Sequence, residues 1–143
     1  MTVYTIEQGE AWDALVRTFL KDDVYYLSGS VKAFQLHGDG EPLLFYGEAD
    51  GVRGINVVMK RDIAADPHFA GSLPADTYFD FATPYGYGGW LLEGEGDPAP
   101  IFAEYERWCR AHHVISEFVR YHPVLANHAP VQDFYRVLAL GGT

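Results

Sequence analysis

The sequence predicts an α/β (α+β) fold in which a mixed, mainly antiparallel sheet is flanked by helices. Three observations support this prediction. Apolar residues near the N-terminus have helical spacing, the middle of the chain holds short apolar runs between turn residues, and a second helical stripe precedes two further strand-like runs. The 143 residues fit a single domain, residues 1–143, and 48% of them are hydrophobic, which is enough to bury a core without covalent staples.

The first element is an amphipathic helix. Its apolar residues Trp12, Leu15, Val16 and Phe19 fall at i, i+3, i+4 and i+7, so they share one helical face. Upstream, residues 5–8 begin with Thr and end with Gln, a spacing that predicts a capping box.

Short apolar runs at residues 34–37, 42–46 and 54–59 follow, each bounded by glycine or aspartate turns. This pattern predicts three strands of an antiparallel meander. Residues 77–82 are predicted to form a fourth strand, which leads directly into a glycine-rich loop.

A second helix is predicted after Asp97, which can cap it, with Pro98 in its first turn. On its exposed surface, Glu106 and Arg110 form an i, i+4 pair. Residues 114–121 and 131–140 are predicted strands, and the ending Gly141-Gly-Thr143 suggests that the chain is the first part of a longer protein. The buried stripe of this helix comprises Ile101, Phe102, Tyr105, Trp108, Cys109 and His112.

Composition excludes several classes of protein. A single cysteine, Cys109, rules out an internal disulfide and predicts a reducing, cytoplasmic location. The N-terminal residues do not have the pattern of a signal peptide, so no signal peptide is predicted. No apolar run approaches the length of a membrane span, so no membrane-spanning helix is predicted. The net charge of −10, with ten scattered Lys and Arg residues, argues against direct contact with nucleic acid.

The most distinctive segment is the glycine-aromatic loop, Thr83-Pro-Tyr-Gly-Tyr-Gly-Gly-Trp90. Its glycines permit a close approach of the backbone to a ligand, and its amides can form an anion-binding nest. The alternative is a tight turn whose aromatic side chains fold over the core. Acidic residues follow the loop and no nucleotide motif is present, so a phosphate cradle is disfavoured. The candidate substrate-binding residues here are Tyr85, Gly86, Tyr87, Gly88, Gly89 and Trp90.

A second distinctive segment is Ser116-Glu-Phe-Val-Arg-Tyr-His-Pro123. Strand alternation places Ser116, Arg120 and His122 on one face and Glu117 on the other, and all four are candidate substrate-binding residues. Arg120 can hold a carboxylate or phosphate, and His122 can act as a base. Alternatively, Arg120 pairs internally with Glu117 or Asp80, and His122 caps the end of a strand.

No catalytic residue and no metal site is predicted. Cys109, His112 and His113 have helical spacing that suits two metal ligands, but nothing nearby in the sequence supplies a third or fourth. Cys109 is therefore predicted to be a core residue.

Together with residues 23–27, Asp-Val-Tyr-Tyr-Leu, these two segments resemble the first half of FemAB-like proteins in the GNAT acyltransferase superfamily. The resemblance implies an N-terminal GNAT-like domain, inactive alone, that binds a small-molecule or peptide-like acceptor. It also implies transfer of an acyl or aminoacyl group to an amine, with acyl-CoA or aminoacyl-tRNA as the donor and a missing C-terminal domain carrying the donor site.

Within that resemblance, the amides of Gly88 and Gly89 would be oxyanion donors and Arg120 would anchor the acceptor. The chain departs from the acyl-CoA signature Q/R-x-x-G-x-G/A, because Thr83 stands where Gln or Arg should be. No cofactor is therefore expected to bind to this domain itself. Two other classes of function stay open: a stand-alone, non-catalytic ligand-binding module, and an assembly domain whose aromatic loop packs on another subunit.

Overall fold

The computed structural model describes residues 1–139 and has a six-stranded, mixed sheet with helices on both faces. This confirms the predicted fold class. The sheet order is β1-β2-β3-β4-β6, and β5 pairs with β3 beside β4; every pairing is antiparallel except that of β4 with β6. The strands are β1 Thr2–Thr5, β2 Glu41–Ala49, β3 Val52–Asp62, β4 Phe79–Ala82, β5 Leu91–Gly94 and β6 Val114–Phe118, and the helices are α1 Gly9–Val16, α2 Ser28–His37 and α3 Ala99–Ala111.

Strand alternation divides the core into two clusters, one on each face of the sheet. On β2, Leu44 packs with α1 and α2, whereas its neighbours Leu43 and Phe45 pack with α3. The α1/α2 cluster comprises Trp12, Val16, Phe19, Tyr26, Val31, Leu44, Ile55, Val57, Met59 and Leu91. The α3 cluster comprises Leu43, Phe45, Val52, Val58, Phe81, Trp90, Ile101, Phe102, Tyr105 and Val131.

The N-terminal predictions are confirmed in their main features. Trp12 and Val16 are buried in α1, and Phe19 is buried just after the helix ends. Gln8 Oε1 accepts a hydrogen bond from the Thr5 N–H at 3.0 Å, as the capping box requires, although the capped element is the short 3₁₀ turn Ile6–Gln8 that precedes α1.

The prediction of a strand at residues 34–37 was wrong, because these residues form the last turn of α2. The helix ends at Gly38, whose φ of 99° is the left-handed conformation typical of a helix C-terminus. The N–H groups of Gly38 and Asp39 both donate to the carbonyl of Phe34, at 3.1 and 3.0 Å. Residues 37–40 therefore terminate a helix instead of turning a hairpin, while β2 and β3 form the predicted antiparallel pair.

The prediction of α3 is confirmed. The N–H of Ala99 donates to Asp97 Oδ1 at 2.9 Å, and Glu106 pairs with Arg110 at 2.6 Å on the exposed surface. Within the predicted stripe, Ile101, Phe102 and Tyr105 are buried, and Trp108 and Cys109 are half-buried. His112 is exposed and stacks on Trp108, with ring centroids 3.7 Å apart.

The prediction of a strand at residues 131–140 was also wrong for the part of it that is described. Ala129–Val131 form a short 3₁₀ helix, and residues 132–139 are turns and irregular chain. Pro130 lies in this 3₁₀ turn, and the apolar residues that follow pack on α3 instead of pairing with a strand, so that Phe134 stacks on Phe102 at 4.1 Å. Leu140 and the ending at residues 141–143 lie outside the described residues.

Candidate functional site

The glycine-aromatic loop joins β4 to β5 and lies against the chain that follows β6. The N–H of Gly88 donates to the carbonyl of Arg120 at 2.9 Å, and the hydroxyl of Tyr26 donates to the carbonyl of Gly89 at 2.8 Å. Asn127 Nδ2 donates to the carbonyl of Gly88 at 2.8 Å. Residues 23–27, 83–89 and 116–123, which are distant in sequence, therefore meet at one place.

Packing accounts for the glycines of the loop. Gly86 has a φ of 116°, and a Cβ there would overlap the ring of Tyr25. Gly89 has a φ of 89°, and its Cβ would lie 2.9 Å from Val119 Cγ1. Trp90 is 0% exposed and donates from Nε1 to the Tyr135 hydroxyl at 3.1 Å. The tight-turn interpretation therefore holds for Gly86, Gly89 and Trp90, whose roles here are structural.

Around the loop, five side chains form what we call the Tyr87 cluster: Asp23, Tyr25, Tyr87, Arg120 and His122. The Tyr87 ring lies 5.7 Å from the Tyr25 ring and 5.3 Å from the His122 ring, measured between centroids. The exposed guanidinium of Arg120 lies 5.5 Å from the centre of the Tyr87 ring. This cluster lies on the α1/α2 face of the sheet, because Tyr25 packs against the α1/α2 cluster.

Arg120 makes no ion pair with any carboxylate among residues 1–139. The two predicted internal partners are engaged elsewhere: Asp80 pairs with Arg61 at 2.6 Å, and Glu117 is bonded to neutral side chains. The internal-pairing alternative for Arg120 is therefore wrong. An exposed cation stacked on an aromatic ring is suited to bind a carboxylate or phosphate group.

His122 is buried and has a structural role. Its Nδ1 accepts hydrogen bonds from the N–H groups of Val124 and Leu125, both at 3.2 Å. A ring nitrogen that accepts in this way leaves the proton on Nε2, which lies 3.6 Å from Asp23 Oδ2. The alternative prediction, that His122 caps the end of a strand, is corrected in one respect: β6 ends at Phe118, and His122 caps the turn that begins at Pro123. Tyr85, by contrast, is 77% exposed, and its ring lies 6.2 Å from that of Phe34 in α2, measured between centroids.

A second candidate site lies on the other face of the sheet, in a groove between α3 and β6 that we call the α3–β6 groove. Its volume is about 890 Å³. Ser116 and Glu117 line it from β6, so the structure separates these two predicted site residues from Arg120 and His122. Aromatic side chains form much of the remaining wall, namely Tyr78, Phe102, Tyr105, Phe134 and Tyr135.

Glu117 is the chemically unusual group of this groove. Its Oε1 accepts from Asn56 Nδ2 at 3.0 Å, and its Oε2 accepts from the Tyr135 hydroxyl at 2.8 Å. No Lys or Arg pairs with it among the described residues. Burial raises the pKa of Glu117, and the hydrogen bonds from Tyr135, Asn56 and Tyr105 oppose this shift only in part.

The sequence analysis did not identify the partners of Glu117. Asn56 offered a signal, because it is a polar residue inside the apolar run of β3, where a side chain needs a buried hydrogen-bond partner. Tyr105 and Tyr135 offered none, since tyrosine in an apolar stripe is ordinary.

Other chemistry is not supported. Within residues 1–139 no group of three or more His, Cys, Asp and Glu side chains could hold a metal ion. Burial raises the pKa of the Cys109 thiol to about 12, which fits a half-buried side chain and not a reactive nucleophile. None of the helices in this part of the chain has the length and apolar character needed to cross a bilayer.

Comparison with known proteins gives no assignment. No protein-family model matches the chain. Neither a curated protein nor a solved structure matches it. The functional argument therefore depends on the two sites themselves, and on the resemblance carried by residues 23–27, 83–89 and 116–123.

Proposed function

We propose that the chain is the N-terminal, acceptor-binding domain of a FemAB-like, GNAT-fold acyltransferase or aminoacyltransferase. The observation that carries this proposal is the convergence of residues 23–27, 83–89 and 116–123. These are the segments that resemble that family, and they meet around an exposed arginine, Arg120, which has no ion-pair partner in the described chain.

In this proposal Arg120 binds the carboxylate of a peptide-like acceptor. The ring of Tyr87 holds the guanidinium in place, and the exposed ring of Tyr85, two residues earlier in the loop, is open to apolar contact. The acceptor amine would attack an acyl carbon delivered by a further domain that binds acyl-CoA or aminoacyl-tRNA. With a net charge of −10, this domain would repel the phosphates of a tRNA, so the other domain would hold it.

One role implied by the resemblance needs correction. The N–H of Gly88 already donates to the carbonyl of Arg120, so in this conformation it is not available to stabilise an oxyanion. Because Nδ1 of His122 already accepts two backbone hydrogen bonds, the Tyr87 cluster supplies binding groups more readily than a catalytic base. These two observations favour the second candidate function, a ligand-binding module that performs no chemistry.

Calorimetric titration with a peptidoglycan stem pentapeptide, which carries a free lysine amine and a C-terminal carboxylate, tests the proposal. We expect saturable binding that Arg120→Ala weakens by about tenfold to a hundredfold, the range expected for a charge-assisted hydrogen bond. Arg17→Ala removes an exposed arginine far from the cluster and should leave the affinity unchanged. Amidation of the peptide C-terminus should weaken binding to the unaltered protein by a similar factor.

Equal affinities for the two arginine variants would refute the role of Arg120. To separate the two candidate functions, the protein encoded by the whole reading frame should be incubated with the peptide and either acetyl-CoA or aminoacyl-tRNA. Mass spectrometry would detect acylation of the lysine amine if the chain belongs to a transferase. Binding without acylation would favour the ligand-binding module.

A further inference from the structure

We propose that the α3–β6 groove binds an organic ammonium ligand with a ring-sized apolar body, whose nitrogen is held by the carboxylate of Glu117. This inference does not depend on the proposed acceptor site, which lies on the opposite face of the sheet.

The polar network behind the groove contains more acceptors than donors. Glu117 has about four lone-pair sites when ionised, and hydrogen bonds from Asn56, Tyr135 and Tyr105 use three of them. Asn56 is only 1% exposed, yet its Oδ1 has no hydrogen-bond partner among the described residues. A ligand that donates several hydrogen bonds therefore fits this network better than one that accepts them.

The charged groups around the groove also favour a cationic ligand. Arg110, on the rim, is engaged by Glu106 at 2.6 Å, and His113 Nδ1 lies 3.1 Å from the carbonyl of Thr77. The groups facing Glu117 from α3 and from the C-terminal segment are Tyr105, Cys109 and Tyr135, all neutral at pH 7 with their pKa values raised. An ammonium group would supply the cation that this buried carboxylate lacks.

The remaining walls suit an apolar or aromatic body. Phe102 and Phe134 stack at 4.1 Å between centroids, and Tyr105 and Tyr135 continue the aromatic surface toward Glu117. Aromatic faces also attract cations. The volume of about 890 Å³ falls within the range of small-molecule sites.

Phenethylamine is the probe that tests this inference, and 2-phenylethanol is its uncharged match in size. By ¹H–¹⁵N NMR titration at neutral pH we expect phenethylamine to shift the amides of α3 and β6 saturably. We expect 2-phenylethanol to bind at least about tenfold more weakly. Glu117→Gln should reduce the affinity for the amine at least about tenfold and leave that for the alcohol unchanged. Glu10→Gln, which changes an exposed carboxylate on α1 across the sheet from the groove, should affect neither.

Equal affinity for the amine and the alcohol, or full retention of amine binding by Glu117→Gln, would overturn the inference. If Glu117→Gln does not fold, the two matched ligands decide the matter in the unaltered protein, because they differ in charge and hardly in size. Saturable shifts of the α3 and β6 amides with phenethylamine at concentrations where 2-phenylethanol gives none would support the proposal, and equal shifts would contradict it. Arg120→Ala should retain phenethylamine binding, so failure at one site is distinguishable from failure at the other.

Discussion

Glu117 contributes to the pH dependence of folding because its environment differs so much between the folded and unfolded chain. Burial raises the pKa of its carboxyl group in the folded protein. Between the unfolded and the folded pKa, the folded state therefore binds more protons than the unfolded state. The stability that this group contributes is present below the unfolded pKa and is lost as the pH rises through the folded pKa.

Replacing Glu117 by Gln should remove this dependence. We expect the free energy of unfolding of the unaltered protein to fall, relative to that of Glu117→Gln, as the pH rises from about 4 to about 8. Urea denaturation at several pH values measures the difference. Glu106→Gln is the matched control, since Glu106 is exposed and paired with Arg110. A difference between Glu117→Gln and the unaltered protein that does not change with pH would contradict this account.

For individual residues, the sequence predicted the face of the sheet on which a side chain lies more successfully than it predicted the side chain's contacts. Alternation along residues 116–122 separated Glu117 from Arg120, as the structure does, but its placement of Ser116 beside Arg120 was wrong, because Ser116 lines the α3–β6 groove with Glu117. The partners of Glu117 lie 61 and 18 residues away in the chain, at Asn56 and Tyr135, and no local pattern encodes such distances. The contact of Arg120 with Tyr87 was not predicted for the same reason, because the two residues are far apart in the sequence.

Among the elements, the glycine-aromatic loop is held rigidly by the segments on either side of it. The ring of Tyr25 fills the space beside Gly86, and Asn127, which is buried, ties the carbonyl of Gly88 to the C-terminal segment. The loop therefore presents Tyr87 to Arg120 in a defined position.

Gly86→Ala tests this rigidity. Both the positive φ and the overlap with Tyr25 oppose a Cβ, so we expect a loss of at least about 2 kcal/mol in the free energy of unfolding. Gly71 is the matched control, because its φ is 79° but a Cβ there would meet no atom within 4 Å. Gly71→Ala should cost about 1 kcal/mol, from backbone strain alone. Equal losses in urea denaturation would show that Tyr25 does not restrict the loop.

Elements with a long periodic pattern were predicted, whereas of the three four-residue strands only β4 was. The stripe of α3 spans several turns, and the hairpin of β2 and β3 has two clear apolar runs. Residues 34–37 gave only one turn of pattern, and the helix before them starts with Ser-Gly-Ser, which carries little apolar signal. The short strands β1 and β5 were missed, because four residues carry too little pattern to distinguish a strand from a loop.

Across the whole molecule, the irregular C-terminal segment completes the core on the α3 face. Val131 is 0% exposed, Phe134 stacks on Phe102, and Tyr135 bonds to Glu117. Because these contacts join the segment to α3, β3 and β6, we expect it to unfold together with the sheet.

Val131→Ala should therefore lower the global free energy of unfolding by about 1–3 kcal/mol. Val124→Ala, in the same segment, removes the same atoms from a side chain that is 83% exposed, and should change stability by less than about 0.5 kcal/mol. Native-state hydrogen exchange of the sheet amides, alongside urea denaturation, measures both effects. Loss of protection confined to residues near Val131 would mean that the segment unfolds separately.

The fold class was predictable because it follows from the number and type of elements. Strand alternation predicted that Glu117 and Arg120 lie on opposite faces, but which helices cover those faces was not predictable, since that depends on the parallel pairing of β4 with β6, for example of Phe79 with Val114. Strand pairing between segments so far apart in the sequence produces no residue pattern that either segment shows by itself.

Because of this pairing, β6 also separates the Tyr87 cluster from the α3–β6 groove. Arg120 and Glu117 are three positions apart in the sequence, yet their side chains lie on opposite faces of the sheet. They therefore contact different sets of residues. Two molecules held by these groups would occupy separate compartments and would not compete. Because β6 is the last strand in the sheet order, its outer edge is one of the two edges at which these faces of the sheet meet.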